Sequence, residues 1–240
     1  IQGVLGIIPS NAFKEIHEVL SAIKISPSDI TDSFLANGIP TLAILKRCKE
    51  DLTPETQRYL HYGITSQDAI DTSHILMYRN ALDIIQDRQI RLIRIAANIS
   101  DQTRHTYTVA RTRSQQAGPI SYGVRLAIWM NPIAELRDQL KSIRKSCLKV
   151  QLAGAFGTNL ILGENGERVA AAMAGSLDLS YSGNWQTNRL NIKMLSDWLC
   201  SLTGSMGKIA KDILFLSSTE VGEIRENRHG GGKSSSMPHK

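Results

Sequence analysis

The longest helical pattern in the chain runs from Gln67 to Ser100, a stretch that contains no glycine and no proline. Apolar residues recur along it at intervals of three and four, the spacing that places them on one face of a helix. They are Ile70, Ile75, Leu82, Ile85, Leu92, Ile93, Ala96 and Ile99. A helix of this length is about three times the globular mean of about 11–12 residues. Because a single-layer globule cannot bury such a helix, the pattern is typical of a helical bundle, often one completed by other subunits.

Most of the remaining chain also has helical character. The predicted further helices are Asn11–Ile23, Thr41–Lys49, Ser121–Val150 with a kink at Pro132, Glu167–Leu177 and Asn188–Glu223. Only Thr106–Arg113 is rich in β-formers and is predicted to be extended. Pro27, Gly38 and Pro40 indicate a loop-rich stretch near the start. We therefore predict an all-α fold, with an N-terminal helical domain over 1–60 and a central long-helix bundle over 61–240.

The charge and composition restrict the class of partner. A formal net charge of +6 favours anionic ligands, although solubility alone would also explain it. The basic residues are scattered and aromatic residues make up 5%, so no nucleic-acid surface is expected. No apolar run reaches membrane-spanning length, and no membrane partner is expected. Three cysteines lie far apart and match neither a disulfide framework nor a zinc spacing, which indicates a reducing cytoplasm.

The last residues of the sequence, Gly230 to Lys240, form a polar segment that reads G-G-G-K-S-S-S-M-P-H-K. Glycines allow positive φ angles and movement, so serines on such a loop can reach a substrate and exchange a proton. The lysine would supply positive charge for a carboxylate. The alternative interpretation is a polar linker of low complexity, but Met-Pro-His-Lys makes a generic linker less apt.

A second segment, His61 to Thr72, reads H-Y-G-I-T-S-Q-D-A-I-D-T at the start of the long predicted helix. Thr65 and Asp68 form a variant of the capping box, so one interpretation is a well-capped helix. The other is an anion site. Free N–H groups and the positive end of the helix dipole attract a carboxylate, and the hydroxyls of Thr65 and Ser66 add donors.

A third segment, Arg111 to Pro119, reads R-T-R-S-Q-Q-A-G-P. One interpretation is a basic loop that leads into the second long helix, with Pro119 in its first turn. The functional interpretation rests on arginine chemistry. Arginine keeps its proton at any ordinary pH and is a poor acid, but its fork binds a carboxylate through two hydrogen bonds.

Together these segments resemble the fumarase/aspartase superfamily, whose members eliminate or add across a carbon–carbon bond beside a carboxylate. The terminal loop is similar to the superfamily signature G-S-S-x-M-P-x-K, except that Lys233 stands where glycine is usual. His61 to Thr72 resembles the corresponding segment of adenylosuccinate lyases and of muconate cycloisomerases. Arg113 stands where the superfamily usually has a histidine that is thought to protonate the leaving group. In a lactonising enzyme the attacking group, or the leaving group in reverse, is a carboxylate, which needs a cation and no proton. Arg113 therefore favours the cycloisomerase branch.

Three further runs resemble the same branch. Gln151 to Thr158 is similar to Q-L-x-G-A-x-G-T. Trp185 to Arg189 is similar to W-H-T-Q-R, with Gln186 and the shorter Asn188 as departures. Glu220 to Glu226 also matches and is assigned to helix packing and surface charge.

The resemblance implies a lactone-forming addition that passes through an aci-carboxylate dianion, whose charge preorganised donors must hold. It implies catalytic roles for Ser234, with Ser235 as backup, and a place near the site for His61. The implied substrate-binding residues are Thr65, Ser66, Arg111, Thr112, Arg113, Gln115, Asn188 and Lys240. It further implies a small tricarboxylate substrate from aromatic catabolism, no metal or organic cofactor, and a cytoplasmic homotetramer with sites shared between subunits.

Two alternatives remain open: another lyase of the superfamily, such as adenylosuccinate lyase, and a non-catalytic protein on the same scaffold, as some lens crystallins are. Because the superfamily pattern continues past Lys240 into an Asn and further long helices, we expect the chain to be part of a longer enzyme.

Overall fold

The structure is a computed structural model that describes residues 1–225 and 234–237. In these ranges the chain is helical apart from one β-hairpin and its loops, as the all-α prediction required. The elements in chain order are α1 (Ser10–Ala22), α2 (Pro27–Asn37), α3 (Thr41–Glu50), α4 (Pro54–Gln57), α5 (Ser66–Gln102), β1 (Tyr107–Thr112), β2 (Gln115–Ser121), α6 (Tyr122–Cys147), α7 (Asn165–Leu177) and α8 (Leu190–Leu216).

Three long helices form the framework of the chain. Helix α5 has 37 residues, α6 has 26 and α8 has 27, which confirms that three long helices lie where the apolar spacing predicted them. Helix α6 continues through Pro132, as expected for a tolerated proline. Helix α8 ends at Leu216, earlier than the predicted end at Glu223.

The stretch around Pro27, Gly38 and Pro40, predicted to be rich in loops, contains helix α2, so that prediction is wrong. Ser26 caps α2 through a full capping box: its Oγ accepts from the N–H of Asp29 at 3.2 Å, and Asp29 Oδ2 accepts from the N–H of Ser26 at 3.0 Å. Pro27 occupies the first turn, where its missing N–H costs nothing, and Gly38 ends the helix at φ 69°. Helix α4 begins at Pro54 in the same way. The prolines and glycine mark helix boundaries in this stretch.

The segment before α6 also differs from its prediction. Residues after Arg113 form strand β2, antiparallel to β1, and Pro119 pairs with Val109 and does not lie in a helical turn. Arg113 and Ser114 make the two-residue turn, with φ 47° and 64°. Positive φ at both central positions matches the right-handed twist of a hairpin. Since both strands of a hairpin are edge strands, β2 accommodates the proline.

The chain divides into two compact units. One comprises Ile1–Asp83 and Lys141–Leu195, and the other Ile84–Leu140 and Ser196–Lys240. The divisions fall inside α5, α6 and α8, and the predicted domain boundary at residue 60 stays a prediction. The first unit has a core that includes Val150, Leu152, Leu162, Val169, Ala170 and Ala174. In the second, Trp129, Ile133, Leu140, Trp198 and Leu202 are buried.

Within residues 1–225 and 234–237, no helix is both long and apolar enough to cross a membrane.

Candidate functional site

In the first unit the start of α5 is joined to the glycine-containing loop that follows Gln151. The connecting group is Asp68, whose side chain is 1% exposed. Its Oδ2 accepts hydrogen bonds from the N–H groups of Thr65 and Gly154, both at 3.0 Å. Its Oδ1 accepts from the N–H of Ala153 and from Nε2 of Gln151, both at 3.1 Å. A buried carboxylate with four donors is fully satisfied and holds the two segments in one geometry.

Gln151, which is 0% exposed, extends this network to the segment before α8. Its Oε1 accepts from the N–H of Trp185 at 2.9 Å, and its Nε2 donates to Asn184 Oδ1 at 2.9 Å. On the other side, the hydroxyl of Thr72 donates to the Gln151 carbonyl and accepts from the Gln151 N–H, both at 3.1 Å. The runs 61–72 and 151–158 therefore meet the start of the run Trp185 to Arg189 in one hydrogen-bonded network centred on the buried Gln151.

Two glycines make the approach of these segments possible. Gly154 has φ 68° and Gly157 has φ 75°, values that other residues rarely adopt. A Cβ at Gly157 would lie 2.7 Å from Asn184 Nδ2, which donates to the Gly157 carbonyl at 2.9 Å. The glycines of the Q-L-A-G-A-F-G-T run are thus required by backbone conformation and by close packing.

The predicted anion donors lie where α5 begins. Ser66 is its first residue, Thr65 precedes it, and both are partly buried. The Asp68 carboxylate supplies the side-chain-to-backbone half of the predicted capping box by accepting from the Thr65 N–H. These residues are therefore presented at a helix N-terminus by a rigid contact. Their role as substrate ligands stays a prediction.

His61 lies in the turn before these donors, with φ 63°. Its Nε2 is buried and has no hydrogen-bond partner within the described part of the chain. Burial lowers the pKa of the imidazole, the charge of Lys49 lowers it further, and the charge of Asp68 opposes this. His61 also lines an apolar cavity of about 530 Å³ with Phe13, Ile16 and Ile64. The lowered pKa favours the neutral form of the ring, and its Nε2 has no partner among residues 1–225 and 234–237.

Asn188 and Arg189 lie at the start of α8. Asn188 Oδ1 accepts from the N–H of Leu190 at 3.1 Å, so the short side chain supports the helix start. Arg189 Nη1 is 2.8 Å from Asp71 Oδ1, and its guanidinium lies 5.2 Å from the centre of the Trp185 ring. The predicted substrate contact of Asn188 stays a prediction. The Asp71–Arg189 pair was not predicted, although both residues belong to the quoted motifs.

In the second unit the predicted basic segment forms the tip of the hairpin. Thr112 and Gln115 pair across the turn, Arg113 lies in the turn, and all three side chains are exposed. Arg111 is only 17% exposed and points its guanidinium Nη2 at Glu223 Oε1. Arg113 is thus an exposed cation in the turn, whereas Arg111, two residues earlier in β1, is partly buried and paired with Glu223.

Glu223 belongs to the run Glu220 to Glu226, which was assigned to helix packing and surface charge, but it lies after the end of α8 at Leu216 and binds the hairpin. Its Oε2 accepts from the hydroxyl of Thr108 and lies 3.6 Å from Nη2 of Arg125. Burial alone would raise the pKa of this carboxyl, but hydrogen bonds from Arg111 and Thr108 and the charges of Arg111 and Arg125 lower it below its ordinary value. The run that contains Glu223 does not show what Glu223 pairs with, because its partners lie about a hundred residues earlier.

The predicted proton-transfer residues lie in the short range 234–237. Ser234 Oγ accepts from the N–H of Met237 at 3.0 Å and of Ser236 at 3.4 Å, and the side chain is partly buried. Ser235 is exposed. Lys233 and Lys240 lie outside the described residues. Among the residues that the structure describes, no three His, Cys, Asp or Glu side chains come together as a metal site.

The chain matches known proteins over nearly its whole length. A family model described as "Lyase" matches residues 15–240. A 3-carboxy-cis,cis-muconate cycloisomerase from Pseudomonas aeruginosa is 33% identical over 98% of this chain and 52% of its own length. An adenylosuccinate lyase from Methanothermobacter thermautotrophicus is 28% identical over 100% of this chain and 54% of its own length.

The fold is shared with solved structures. The crystal structure of a 3-carboxy-cis,cis-muconate lactonizing enzyme from Pseudomonas putida matches with a TM-score of 0.86 and 30% identity, over 92% of this chain and 51% of the other. The chain spans about half the length of the curated relatives that it matches. Motifs, long-helix architecture and relatives agree, and the chain belongs to the fumarase/aspartase superfamily of lyases.

Proposed function

We propose that the protein is a 3-carboxy-cis,cis-muconate cycloisomerase or a near relative with the same chemistry. It would add a carboxylate oxygen across a conjugated double bond and close a γ-lactone. The observation that carries the proposal is Arg113, an exposed cation in the turn of the β1–β2 hairpin. The name shared by the cycloisomerase relatives supports the same reaction.

Arginine suits this reaction better than it suits an amine elimination. A leaving amine or hydroxide needs a proton, and a guanidinium does not release one near neutral pH. An attacking carboxylate needs a fixed positive partner, and a guanidinium can give it two parallel hydrogen bonds. In the proposed mechanism Arg113 holds the attacking carboxylate, and Thr112 and Gln115 beside it contact the substrate.

The negative charge that develops in the aci-carboxylate intermediate needs donors that are already in place. Thr65 and Ser66 would supply them at the N-terminus of α5, where the helix dipole adds to their hydroxyls. Asp68 fixes these residues through its bond to the Thr65 N–H. Lys240 completes the set in the proposal, and His61 with its unused Nε2 would hydrogen-bond the substrate.

Ser234 would deliver the α-proton in the lactonising direction and remove it in reverse, with Ser235 as the alternative. Two backbone N–H groups donate to Ser234 Oγ. Donors aimed at a hydroxyl oxygen stabilise its deprotonated form more than its neutral form. The contacts thus favour the proton exchange that the proposal assigns to Ser234.

We further propose a cytoplasmic homotetramer in which different subunits complete each site. Exposed apolar side chains along α8 support an assembled state, because exposed apolar surface of this extent is typical of an interaction site. They include Leu190, Met194, Met206, Ile213, Leu214 and Phe215.

A direct assay separates the candidates. The purified protein should convert 3-carboxy-cis,cis-muconate to its lactone, which is followed by loss of the diene absorbance, and it should leave adenylosuccinate unchanged. Turnover of adenylosuccinate would instead support the second candidate, which the H-Y-G-x-T-S-x-D run and a lyase relative favour. Turnover of neither substrate, with retained binding of a tricarboxylate, would favour a non-catalytic homologue.

A further inference from the structure

Glu223 lies where the chain turns back after α8. Its N–H donates to the carbonyl of Leu216 at 2.9 Å, and the N–H of Ile224 donates to the same carbonyl at 3.3 Å. Gly222, at φ 59°, allows the reversal. The last residue of α8 therefore fixes the backbone of Glu223, and the direction of the Glu223 side chain follows from this anchor.

The side chain of Glu223 is bound by two further elements. Thr108 and Arg111 reach it from β1, and Arg125 reaches it from α6. Arg125 also donates to the Val109 carbonyl at 2.7 Å, so the cluster is tied to the hairpin backbone as well. The exposed fractions of Arg111, Arg125 and Glu223 are 17%, 15% and 16%. One partly buried carboxylate thus binds two partly buried guanidinium groups and offsets part of their positive charge.

This arrangement changes the part that Arg111 can play. Its Nη2 is bonded to Glu223, its Nη1 lies 3.3 Å from the Val109 carbonyl, and its guanidinium lies 5.3 Å from the centre of the Phe215 ring. A cation held by a protein carboxylate, a carbonyl and a ring has its main donors already engaged. Arg111 therefore serves as a partner of Glu223, whereas Arg113 in the turn remains exposed.

We infer that Glu223 is a positioning residue: through Arg111, Thr108 and Arg125 it holds the residues that follow α8, as far as Arg225, against the hairpin that presents Arg113. It thereby fixes the point from which the chain continues to Ser234. The inference rests on the proposed function, because Ser234 and Arg113 are its reacting groups. Removing the carboxylate breaks the bonds that join the residues after α8 to β1 and α6, and it leaves the guanidinium groups of Arg111 and Arg125 without their counter-charge.

The test compares Glu223→Ala and Glu223→Asp with Glu220→Ala, a matched control that removes an exposed carboxylate from the same segment. With 3-carboxy-cis,cis-muconate, Glu223→Ala should lower kcat by about 10- to 100-fold, the effect of a misplaced reacting group, and change KM by less than about 3-fold. Glu223→Asp should restore part of the loss, and Glu220→Ala should match the wild type.

A second measurement does not depend on turnover. A fluorophore is attached at position 236 through Ser236→Cys in a Cys200→Ser background, and its anisotropy is measured with and without Glu223→Ala. The control is the same fluorophore on the native, exposed Cys200 of α8. Glu223→Ala should lower the anisotropy at position 236 and leave that at Cys200 unchanged.

Equal changes at both labels would show general loosening and overturn the inference, as would unchanged kcat together with unchanged anisotropy at position 236. If the wild type fails to convert the tricarboxylate, the proposed function fails, and the anisotropy comparison still decides the role of Glu223.

Discussion

The buried Asp68 carboxylate should be the most sensitive single position in the first unit. Asp68→Asn keeps the shape of the side chain and replaces one oxygen by an NH2 group. Each oxygen of Asp68 accepts two hydrogen bonds, so either orientation of the amide leaves two donors without an acceptor. An unsatisfied buried donor costs about 1–3 kcal/mol, which gives a loss of about 2–6 kcal/mol in the free energy of unfolding.

Urea denaturation, followed by circular dichroism, measures this loss. The matched control is Asp87→Asn, which removes an exposed carboxylate from the same helix and should change stability by less than about 0.5 kcal/mol. A loss of less than about 1 kcal/mol for Asp68→Asn would refute the reasoning, because it would mean that the donors around Asp68 find other acceptors at no cost. A loss in the expected range, with weakened tricarboxylate binding, would show that the network also positions Thr65 and Ser66.

Three further predictions concern the proposed chemistry and the ion cluster. Arg113→His should lower kcat/KM for the tricarboxylate, since histidine near pH 7 is mostly neutral and lacks the two-pronged guanidinium. Arg113→Lys should keep part of the activity because the charge remains. An Arg113→His variant as active as the wild type would favour a lyase. Ser234→Ala should lower kcat by about 10²–10⁴-fold, with Ser236→Ala as the control, and unchanged kcat in a Ser234→Ala, Ser235→Ala double variant would exclude both serines. The pKa of Glu223 is lowered from 4.5, so the carboxylate should contribute fully to stability above pH 4.5, and this contribution should be lost as the pH falls through the lowered pKa. Thermal unfolding measured against pH should show the loss in the wild type and not in Glu223→Gln. Identical acid profiles for the two proteins would contradict this prediction.

The presence and the positions of the long helices could be predicted from the sequence alone, although α8 ends at Leu216 and not at the predicted Glu223. The pattern that predicts such a helix is local and repeated. In α5, apolar residues at three- and four-residue spacing, without glycine or proline, predict the helix whatever it packs against. The hairpin was only half predicted. Gln115 to Ser121 has weak β character, and Pro119 looks like a helix start until β1 supplies hydrogen-bond partners for the strand.

Of the candidate site, too, one part could be predicted from the sequence and another part could not. The motifs that contain Thr65, Ser66, Arg113 and Ser234 are short runs of consecutive residues, so the sequence alone is enough to predict roles for them. That Asp68 binds the loop after Gln151, and that Glu223 pairs with Arg111, could not be read from it. The carboxylates and their donors come from segments far apart in the chain, and only the folded backbone brings them within hydrogen-bonding distance. Sequence patterns report which groups are present, while burial and long-range contacts decide which of those groups are paired and which remain free to act.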